Sequence, residues 1–267
     1  MKTRIITALC ALPLIIAALI QPYWWIWSII VFIASLVGLF EFYKATGLLQ
    51  HKSLCVLGML AAIYFPLTFI PKLSIIPFSL WYTALLFLIL IFSNNKISLE
   101  KLALSLFSTL YIPYLLSSVV TLRKIGGGEY YIWLLVVCAF LTDSCAYFVG
   151  KAIGKHKLCP ALSPNKTIEG AIGGIIGCGL SCMLFGLIIK NCFSVDVNFI
   201  KLFILGLICS VGAQLGDITA SCIKRQYGIK DYGNLFPGHG GVLDRCDSII
   251  FVAPLMLYYV VYIGILN

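Results

Sequence analysis

Nine apolar stretches, each about as long as a membrane-spanning helix, constrain the fold of this chain more than any other feature of its sequence. An α-helix needs about 20 consecutive apolar residues to cross the hydrocarbon core of a bilayer. Hydrophobic residues make up 61% of the chain and charged residues only 11%, which excludes a disordered chain and a soluble domain of ordinary composition. The sequence therefore predicts an all-α polytopic integral membrane protein with nine transmembrane helices, running roughly over residues 5–21, 23–41, 53–70, 74–93, 103–122, 130–149, 170–189, 199–221 and 248–265.

The distribution of basic residues predicts how these helices are oriented. With nine spans, 14 of the 19 lysines and arginines fall on the same side as the N-terminus. Cytoplasmic loops are enriched in Lys and Arg, so we expect a cytoplasmic N-terminus and an outside C-terminus. The first stretch could be a cleaved signal peptide, but residues 19–21 offer no small-residue cleavage site, which favours a retained helix. The net charge is +9, but the basic residues lie between apolar runs and do not line a soluble face, so we expect no nucleic-acid partner.

The chain divides into two unlike parts. Residues 1–125 have short loops and few acids, which indicates a scaffold or a lipid-facing wall. Residues 126–267 contain most of the acids and two long loops, 150–169 and 222–247, on the predicted cytoplasmic side, and form the candidate catalytic region. The 11 cysteines show no CxxC pair, so we expect small buried side chains rather than zinc ligands or disulfides.

Asp217 and Asp143 are acidic residues inside predicted membrane spans. A carboxylate that faces lipid is costly, so each should face a cavity, a cation or a partner. Ser221 and Lys224 follow Asp217 on the same face of the predicted helix, and a structural Asp217–Lys224 ion pair is one interpretation. The small residues around Asp217 favour a site that a ligand can approach. Asp143 could complete the same polar cavity or pair with a lysine.

The loop 222–247 combines basic side chains, Gly-rich backbone and acids. Gly240 and Gly241 allow the main chain to approach a ligand and to offer N–H groups to an anion. Asp217 and Asp244, from separate helices, could hold one or two cations, and hard oxygen ligands beside basic residues favour Mg²⁺ bound with a polyphosphate. The residues able to neutralise phosphates are Lys224, Arg225, Lys230 and Arg245.

Other interpretations of this loop stay open. Its charged residues could form a solvated surface at the membrane edge. Asp244 and Asp247, three residues apart, could cap the helix that follows. His239, between two glycines, could act as a general base or donate to a phosphate, although a lone loop histidine usually does neither.

Ser163, Lys166, Thr167 and Glu169 lie at the end of the other long loop. A hydroxyl followed by an acid is typical of a helix N-terminus, so a helix cap is one interpretation. A lysine beside hydroxyls at a helix N-terminus is also typical of an anion site. Glycines at four-residue spacing then predict close packing against another helix, within the chain or across a dimer: Gly170 with Gly174, and Gly173 with Gly177.

Charged residues, glycines and hydroxyl side chains form a long pattern in the second part of the chain. Its residues are Asp143, Ala146, Tyr147, Gly150, Ser163, Pro164, Lys166, Thr167, Glu169, Gly170, Ser221, Ile223, Lys224, Arg225, Lys230, Asp231, Gly233, Phe236, Pro237, His239, Gly240, Gly241, Val242, Asp244, Arg245 and Asp247. The pattern resembles the signature of the phosphatidate cytidylyltransferase (CDP-diacylglycerol synthase) family and covers about residues 140–250. Cys246, Ile168 and Ser144–Cys145 depart from the residues usual in that family, but none of them removes a charged or hydrogen-bonding group of the pattern.

The resemblance implies that CTP and phosphatidic acid react to give CDP-diacylglycerol and pyrophosphate. It implies Mg²⁺ bound by Asp217 and Asp244, with room for a second cation such as K⁺ or another Mg²⁺, and a homodimer in the cytoplasmic (inner) membrane. The residues expected to act in catalysis are Asp217, Asp244, Lys224, Arg225, Asp247 and His239. Those expected to bind substrate are Ser163, Lys166, Thr167, Glu169, Asp143, Ser221, Lys230, Asp231, Gly240, Gly241 and Arg245.

Three alternatives compete with this function. A CTP-dependent polyprenol or phytol kinase would also use CTP at a membrane, but the full pattern from Lys224 to Asp247 argues against it. A cation-coupled transporter could use Asp143 and Asp217, but the chain shows no internal repeat. A structural membrane subunit would leave Asp217 and Asp244 unexplained.

Overall fold

A computed structural model of the protein describes residue 13 and residues 15–67, 75–238 and 240–265. Residues 15–20 are helical. The α-helices that follow are α1 (Trp24–Thr46), α2 (Lys52–Leu67), α3 (Ile75–Phe92), α4 (Leu99–Thr109), α5 (Leu115–Lys124), α6 (Gly128–Ile153), α7 (Ile168–Phe193), α8 (Phe199–Gln226) and α9 (Leu243–Ile263). A 3-10 turn (Leu48–Gln50) follows α1, a π turn (Leu110–Tyr114) joins α4 to α5, and two strands, β1 (Lys157–Cys159) and β2 (Ser163–Thr167), lie between α6 and α7.

Six helical segments of the described chain are long and apolar enough to cross a membrane. They are α1, the continuous segment Leu99–Lys124, α6, α7, α8 and α9. Two shorter apolar helices, Lys52–Pro66 and Phe78–Phe92, coincide with two further predicted spans. The first predicted span, 5–21, lies largely outside the described residues. The prediction of an all-α membrane protein is therefore confirmed, whereas nine spans and the orientation of the termini stay predictions.

The helix formed by Leu99–Lys124 contains the π turn at its centre. Pro113 lies in this turn, and its ring nitrogen cannot donate the hydrogen bond that a regular α-helix requires. The wider turn accommodates the missing donor without ending the helix. The predicted span 103–122 therefore exists as one segment with an interruption that the apolar pattern did not indicate.

The most extensive helix contacts join α6 to α7, α7 to α8 and α8 to α9. Helix α9 also packs against α5 and α1 of the N-terminal part. The glycines of α7 permit close approach to α6, since a Cβ atom on Gly170 would lie 2.7 Å from the Ala146 carbonyl oxygen and one on Gly173 would lie 2.5 Å from Val149 Cβ. The predicted glycine face is thus confirmed as a packing surface, and it packs within the chain.

Four cysteines that are far apart in sequence meet between α6, α7 and α8. Cys138, Cys178, Cys182 and Cys209 are fully buried, and all four are free. The Cys138 and Cys182 sulfur atoms are 3.5 Å apart. Their apolar surroundings fit the prediction of small buried side chains.

A helix contact between Gly206 of α8 and Gly179 of α7 provides a test of this packing. A Cβ atom on Gly206 would lie 2.7 Å from the Gly179 Cα atom and 3.0 Å from the Cys178 carbonyl oxygen, and these backbone atoms cannot move aside independently. We expect Gly206→Ala to lower the free energy of unfolding by about 1–3 kcal/mol, measured by thermal or denaturant unfolding in detergent. Gly126→Ala is the matched control, because a Cβ atom there would meet nothing within 4 Å. Equal stability of the two variants would contradict the close contact.

Candidate active site

The candidate active site lies where the C-terminal part of α8, the loop 227–242 and the start of α9 meet. Asp244 is its most enclosed acid, with a side chain that is 2% exposed. Its Oδ1 atom accepts a hydrogen bond from Lys224 Nζ at 2.7 Å, and its Oδ2 atom accepts from the backbone N–H groups of Tyr232 at 2.8 Å and Gly241 at 3.0 Å. One carboxylate thereby joins α8, the loop and α9.

The backbone at Gly240 is shaped by the same carboxylate. Gly240 has φ +88°, a conformation that residues with a Cβ atom rarely adopt. A Cβ atom at this position would also lie 2.9 Å from Asp244 Oδ2. The glycine is therefore required both by the turn and by the approach of the loop to Asp244. His239, a predicted catalytic residue, lies outside the described residues.

Asp217 pairs with Lys166 rather than with a residue of its own helix. Lys166 lies on β2, and its ammonium group donates to Asp217 Oδ2. Both side chains are 29% exposed, so the pair lies at an open part of the site. The Asp217–Lys224 ion pair considered from the sequence is wrong, because Lys224 is bound to Asp244.

Asp143 and Asp247 lie near this pair. Asp143, Asp217 and Asp247 repel one another electrostatically, while Lys166 and Arg245 attract Asp143. Asp247 Oδ1 accepts a hydrogen bond from the Ser248 N–H at 2.8 Å, and no salt bridge to either Asp143 or Asp247 is formed within the described residues. Asp143 is exposed at the surface of the described helices, and the polar cavity or lysine partner expected for it stays a prediction.

Two short strands hold Lys166 in place. Strands β1 and β2 pair antiparallel, with Lys157 opposite Thr167, and Thr167 Oγ1 accepts from the Gly170 N–H at 3.1 Å as the cap of α7. Glu169 accepts hydrogen bonds from the backbone N–H groups of Lys155 and His156, and lies 2.6 Å from His156 Nδ1. The helix-cap interpretation is thus confirmed for Thr167, and the strands themselves were not predicted.

The remaining sequence-predicted residues lie on α8, on the loop, on α9 and on β2. Arg225, Lys230, Asp231 and Arg245 are exposed, and Arg225 Nη1 donates to the Ile229 carbonyl oxygen at 3.2 Å. Ser163 lies on β2, and Ser221 lies on α8 between Asp217 and Lys224. The hydroxyl groups of Ser163 and Ser221 make no hydrogen bond within the described part of the chain. The basic and hydroxyl groups among them are therefore available to an anionic ligand.

Sequence reasoning missed Glu41, which lies on α1. Its Oε1 atom accepts from the Val242 N–H at 3.0 Å and its Oε2 atom accepts from the Leu243 N–H at 2.9 Å. Glu41 therefore caps α9, whereas caps by Asp244 and Asp247 had been considered; Asp244 instead binds the N–H group of Gly241, just before the helix. The signal was present, because Glu41 is the only acid in its apolar stretch, as Asp217 is in its own.

Tyr232 is a second residue that the sequence did not single out. Its ring is buried beside Lys224, whose Nζ atom lies 5.5 Å from the ring centroid. Its hydroxyl donates to the Ala220 carbonyl oxygen at 3.3 Å. Burial raises the pKa of Tyr232, so the phenol stays protonated and anchors the loop to α8.

The chemistry of the donor set suits a hard divalent cation, but within the described residues no three of these acids bring their ligand atoms within 4.8 Å of one another. Carboxylates from α6, α8 and α9 supply the oxygen ligands that Mg²⁺ prefers, and Asp217 uses only one of its two oxygen atoms on Lys166. Among the His, Cys, Asp and Glu residues that the structure describes, only Cys138, Cys178 and Cys182 bring three possible ligand atoms within 4.8 Å of one another. They offer soft sulfur ligands, which do not suit Mg²⁺.

Comparison with known proteins shows the family of this chain. Residues 2–263 match the model of the cytidylyltransferase family. The chain belongs to the cytidylyltransferase family. Phosphatidate cytidylyltransferase of Bacillus subtilis (strain 168) is 31% identical over 271 residues, which cover 97% of each chain. The proteins of the same name from Staphylococcus epidermidis and Staphylococcus aureus (strain COL) are 33% and 34% identical over 264 and 266 residues, which cover 96% of this chain and 97% of each relative.

The candidate site contains acids of two kinds. Asp244 is enclosed and fully hydrogen-bonded, which makes it an organiser of the loop. Asp217 is 29% exposed and lies near Asp143 and Asp247. Each has one lysine partner, Lys166 of β2 for Asp217 and Lys224 of α8 for Asp244.

The Lys224–Asp244 pair allows a stability test that does not depend on substrates. Lys224→Met leaves Asp244 enclosed without its cation, so we expect a loss of about 3–5 kcal/mol in the free energy of unfolding. Lys190→Met is the matched control, because Lys190 pairs at 3.7 Å with Asp196 in a mostly exposed position, and it should have little effect. The double variant Lys224→Met/Asp244→Asn should recover part of the loss. Thermal unfolding in detergent would measure all three, and an equal effect of Lys224→Met and Lys190→Met would contradict the buried pair.

Proposed function

We propose that this chain transfers the cytidylyl group of CTP to phosphatidic acid, giving CDP-diacylglycerol and pyrophosphate. The observation that carries the proposal is the convergence of acids and basic residues from β2, α8, the loop and α9 at one end of an apolar helix bundle. Such a site suits a soluble polyanion and a lipid phosphate together. The relatives named phosphatidate cytidylyltransferase, which match almost the whole chain, support the same substrates.

The proposed reaction is an in-line displacement at phosphorus. An oxygen atom of the lipid phosphate attacks the α-phosphorus of CTP, the new O–P bond forms, and the bond from the α-phosphorus to the bridging oxygen breaks to release pyrophosphate. Transfers of this kind depend mainly on positioning and on neutralising charge. The charge of the CTP phosphates and of the departing pyrophosphate would be neutralised by Lys224, Arg225 and Arg245. Lys230 and the backbone N–H group of Gly241 would complete the anion site.

Bound Mg²⁺ would neutralise phosphate charge at this site. We propose that Asp217 and Asp244 hold it, with Asp247 in support and with K⁺ or another Mg²⁺ as a second cation. Asp217 has an unused carboxylate oxygen, and Asp244 would share its oxygen atoms with Lys224 and the loop.

The hairpin residues have a supporting part in this proposal. Lys166 and Ser163 would contact a substrate phosphate. Lys166 would either leave Asp217 to do so or bind Asp217 and the phosphate at the same time. Thr167 and Glu169 would act through the shape of the hairpin, because their side chains already bind backbone N–H groups. Asp143, Ser221, Asp231, Gly240 and His239 would line the same substrate site.

The proposal also covers the membrane topology and the oligomeric state of the protein. The composition and the six apolar spans make the chain a membrane protein. We propose nine spans, a cytoplasmic N-terminus and an active site that faces the cytoplasm from the inner membrane. A homodimer, with no nucleic-acid partner, completes the assignment. The lysines and arginines of the loop support a cytoplasmic active site, because cytoplasmic loops of membrane proteins are enriched in Lys and Arg.

Substitution of the two proposed metal ligands tests the function. Purified protein in detergent is supplied with CTP, phosphatidic acid and Mg²⁺, and CDP-diacylglycerol formation is measured. We expect Asp217→Asn and Asp244→Asn to lose activity by several orders of magnitude, because each removes a charge that holds the cation. Asp196→Asn is the control, since Asp196 is 68% exposed and lies between α7 and α8.

The same assay separates the possible failures. Unfolding curves recorded for each variant distinguish lost chemistry from a lost fold, which matters most for the enclosed Asp244. Wild-type protein that makes no CDP-diacylglycerol with several acyl chains and cations would overturn the function. Full activity of folded Asp217→Asn would overturn the metal site but not the reaction.

Removal of divalent cations gives a further prediction. We expect EDTA to abolish CDP-diacylglycerol formation and added Mg²⁺ to restore it, because Asp143 and Asp247 form no salt bridge within the described residues and repel Asp217 electrostatically. A titration of activity against free Mg²⁺ measures this, and Asp247→Asn should need more Mg²⁺ for half-maximal activity. Activity that persists in excess EDTA would contradict the proposed cofactor.

A further inference from the structure

Glu41 is a buried acid that the proposed chemistry does not use. It lies on α1 in the N-terminal part of the chain and is 5% exposed. Within the described residues it forms no salt bridge, so its charge is balanced by backbone donors instead. A buried carboxylate is costly unless it is fully hydrogen-bonded. The position therefore needs an explanation.

The donors come from the start of α9. The first N–H groups of a helix have no partner within the helix, and Val242, at the N-cap position, provides no side-chain cap. Glu41 accepts from the N–H groups of Val242 and Leu243 at 3.0 and 2.9 Å, across 201 and 202 residues of sequence. Its negative charge also lies at the positive end of the α9 dipole.

The loop 227–242 is built around the same carboxylate. A Cβ atom on Gly233 or on Gly241 would lie 2.3 Å from Glu41 Oε1. Neither glycine has a positive φ angle, so their lack of a side chain serves the space that Glu41 occupies rather than the backbone conformation. Glu41, which is not part of the signature, thus explains why two positions of the signature are glycine.

Glu41 and Asp244 bind three successive N–H groups. Gly241 donates to Asp244 at 3.0 Å, and the next two residues, Val242 and Leu243, donate to Glu41. The two carboxylates hold this turn from opposite ends. A shift of the turn away from Glu41 would therefore move Asp244 itself, which follows Leu243 directly, and Arg245 after it.

We infer that Glu41 is a positioning residue for the reaction, which sets Asp244 and Arg245 through the turn that begins α9. This inference rests on the proposed function. Glu41 would not touch either substrate, so its loss should impair the chemical step more than the binding of CTP. It should also raise the Mg²⁺ requirement, because one proposed metal ligand would be misplaced.

The test is a kinetic comparison of Glu41→Gln with Glu100→Gln, a conservative change at an exposed acid of α4. Glutamine keeps the size of the side chain but presents an NH₂ group to one of the two N–H donors. We expect Glu41→Gln to lower kcat by about tenfold to a hundredfold, with a change of less than about threefold in KM for CTP, and to raise the Mg²⁺ concentration for half-maximal activity. Glu100→Gln should match wild type in all three quantities.

A second variant covers the case in which Glu41→Gln does not fold. Gly233→Ala crowds the carboxylate without removing it and should give the same loss of kcat. Glu41→Ala should make the added Gly233→Ala change nearly silent, because the space is then open. Folded Glu41→Gln, or in its place folded Gly233→Ala, with wild-type kcat and Mg²⁺ dependence would overturn the inference. Wild-type protein without CDP-diacylglycerol synthesis would overturn the proposed function instead.

Discussion

The hydrogen bonds to the enclosed carboxylate of Asp244 are the interaction on which the rest of the site depends. An acid that is 2% exposed has to find its donors within the protein. Lys224 supplies them from α8, and the N–H groups of Tyr232 and Gly241 supply them from the loop. These contacts set the end of α8, the course of the loop and the beginning of α9 relative to one another. The exposed basic residues of the loop owe their positions to this anchor.

The site is assembled from distant parts of the chain. Lys166 reaches Asp217 from a two-stranded hairpin, and Glu41 reaches the start of α9 from the first fully described helix. Close packing of α6 on α7, allowed by Gly170 and Gly173, brings the hairpin to α8. The helices before α6 therefore take part in forming the site, because Glu41 of α1 accepts hydrogen bonds from the backbone just before Asp244.

The membrane fold could be predicted because its signal is local. Runs of apolar residues indicate spanning helices wherever they occur, and the four-residue spacing of Gly170 and Gly174 indicates a packing face without knowledge of the partner. The charge pairs could not be predicted in this way. Spacing along α8 suggested Lys224 for Asp217, but each found its partner on another element. Glu41 was missed because its donors are about 200 residues away, a separation that no local pattern records.

In the proposed reaction, the α-phosphorus of CTP is the atom that reacts with the lipid phosphate. The most direct measurement follows CTP labelled with ³²P at the α position or at the γ position, incubated with the purified protein, phosphatidic acid and Mg²⁺. We expect the α label to enter the lipid fraction and the γ label to leave as pyrophosphate. The γ label in the lipid, with release of CDP, would contradict it and would indicate a kinase.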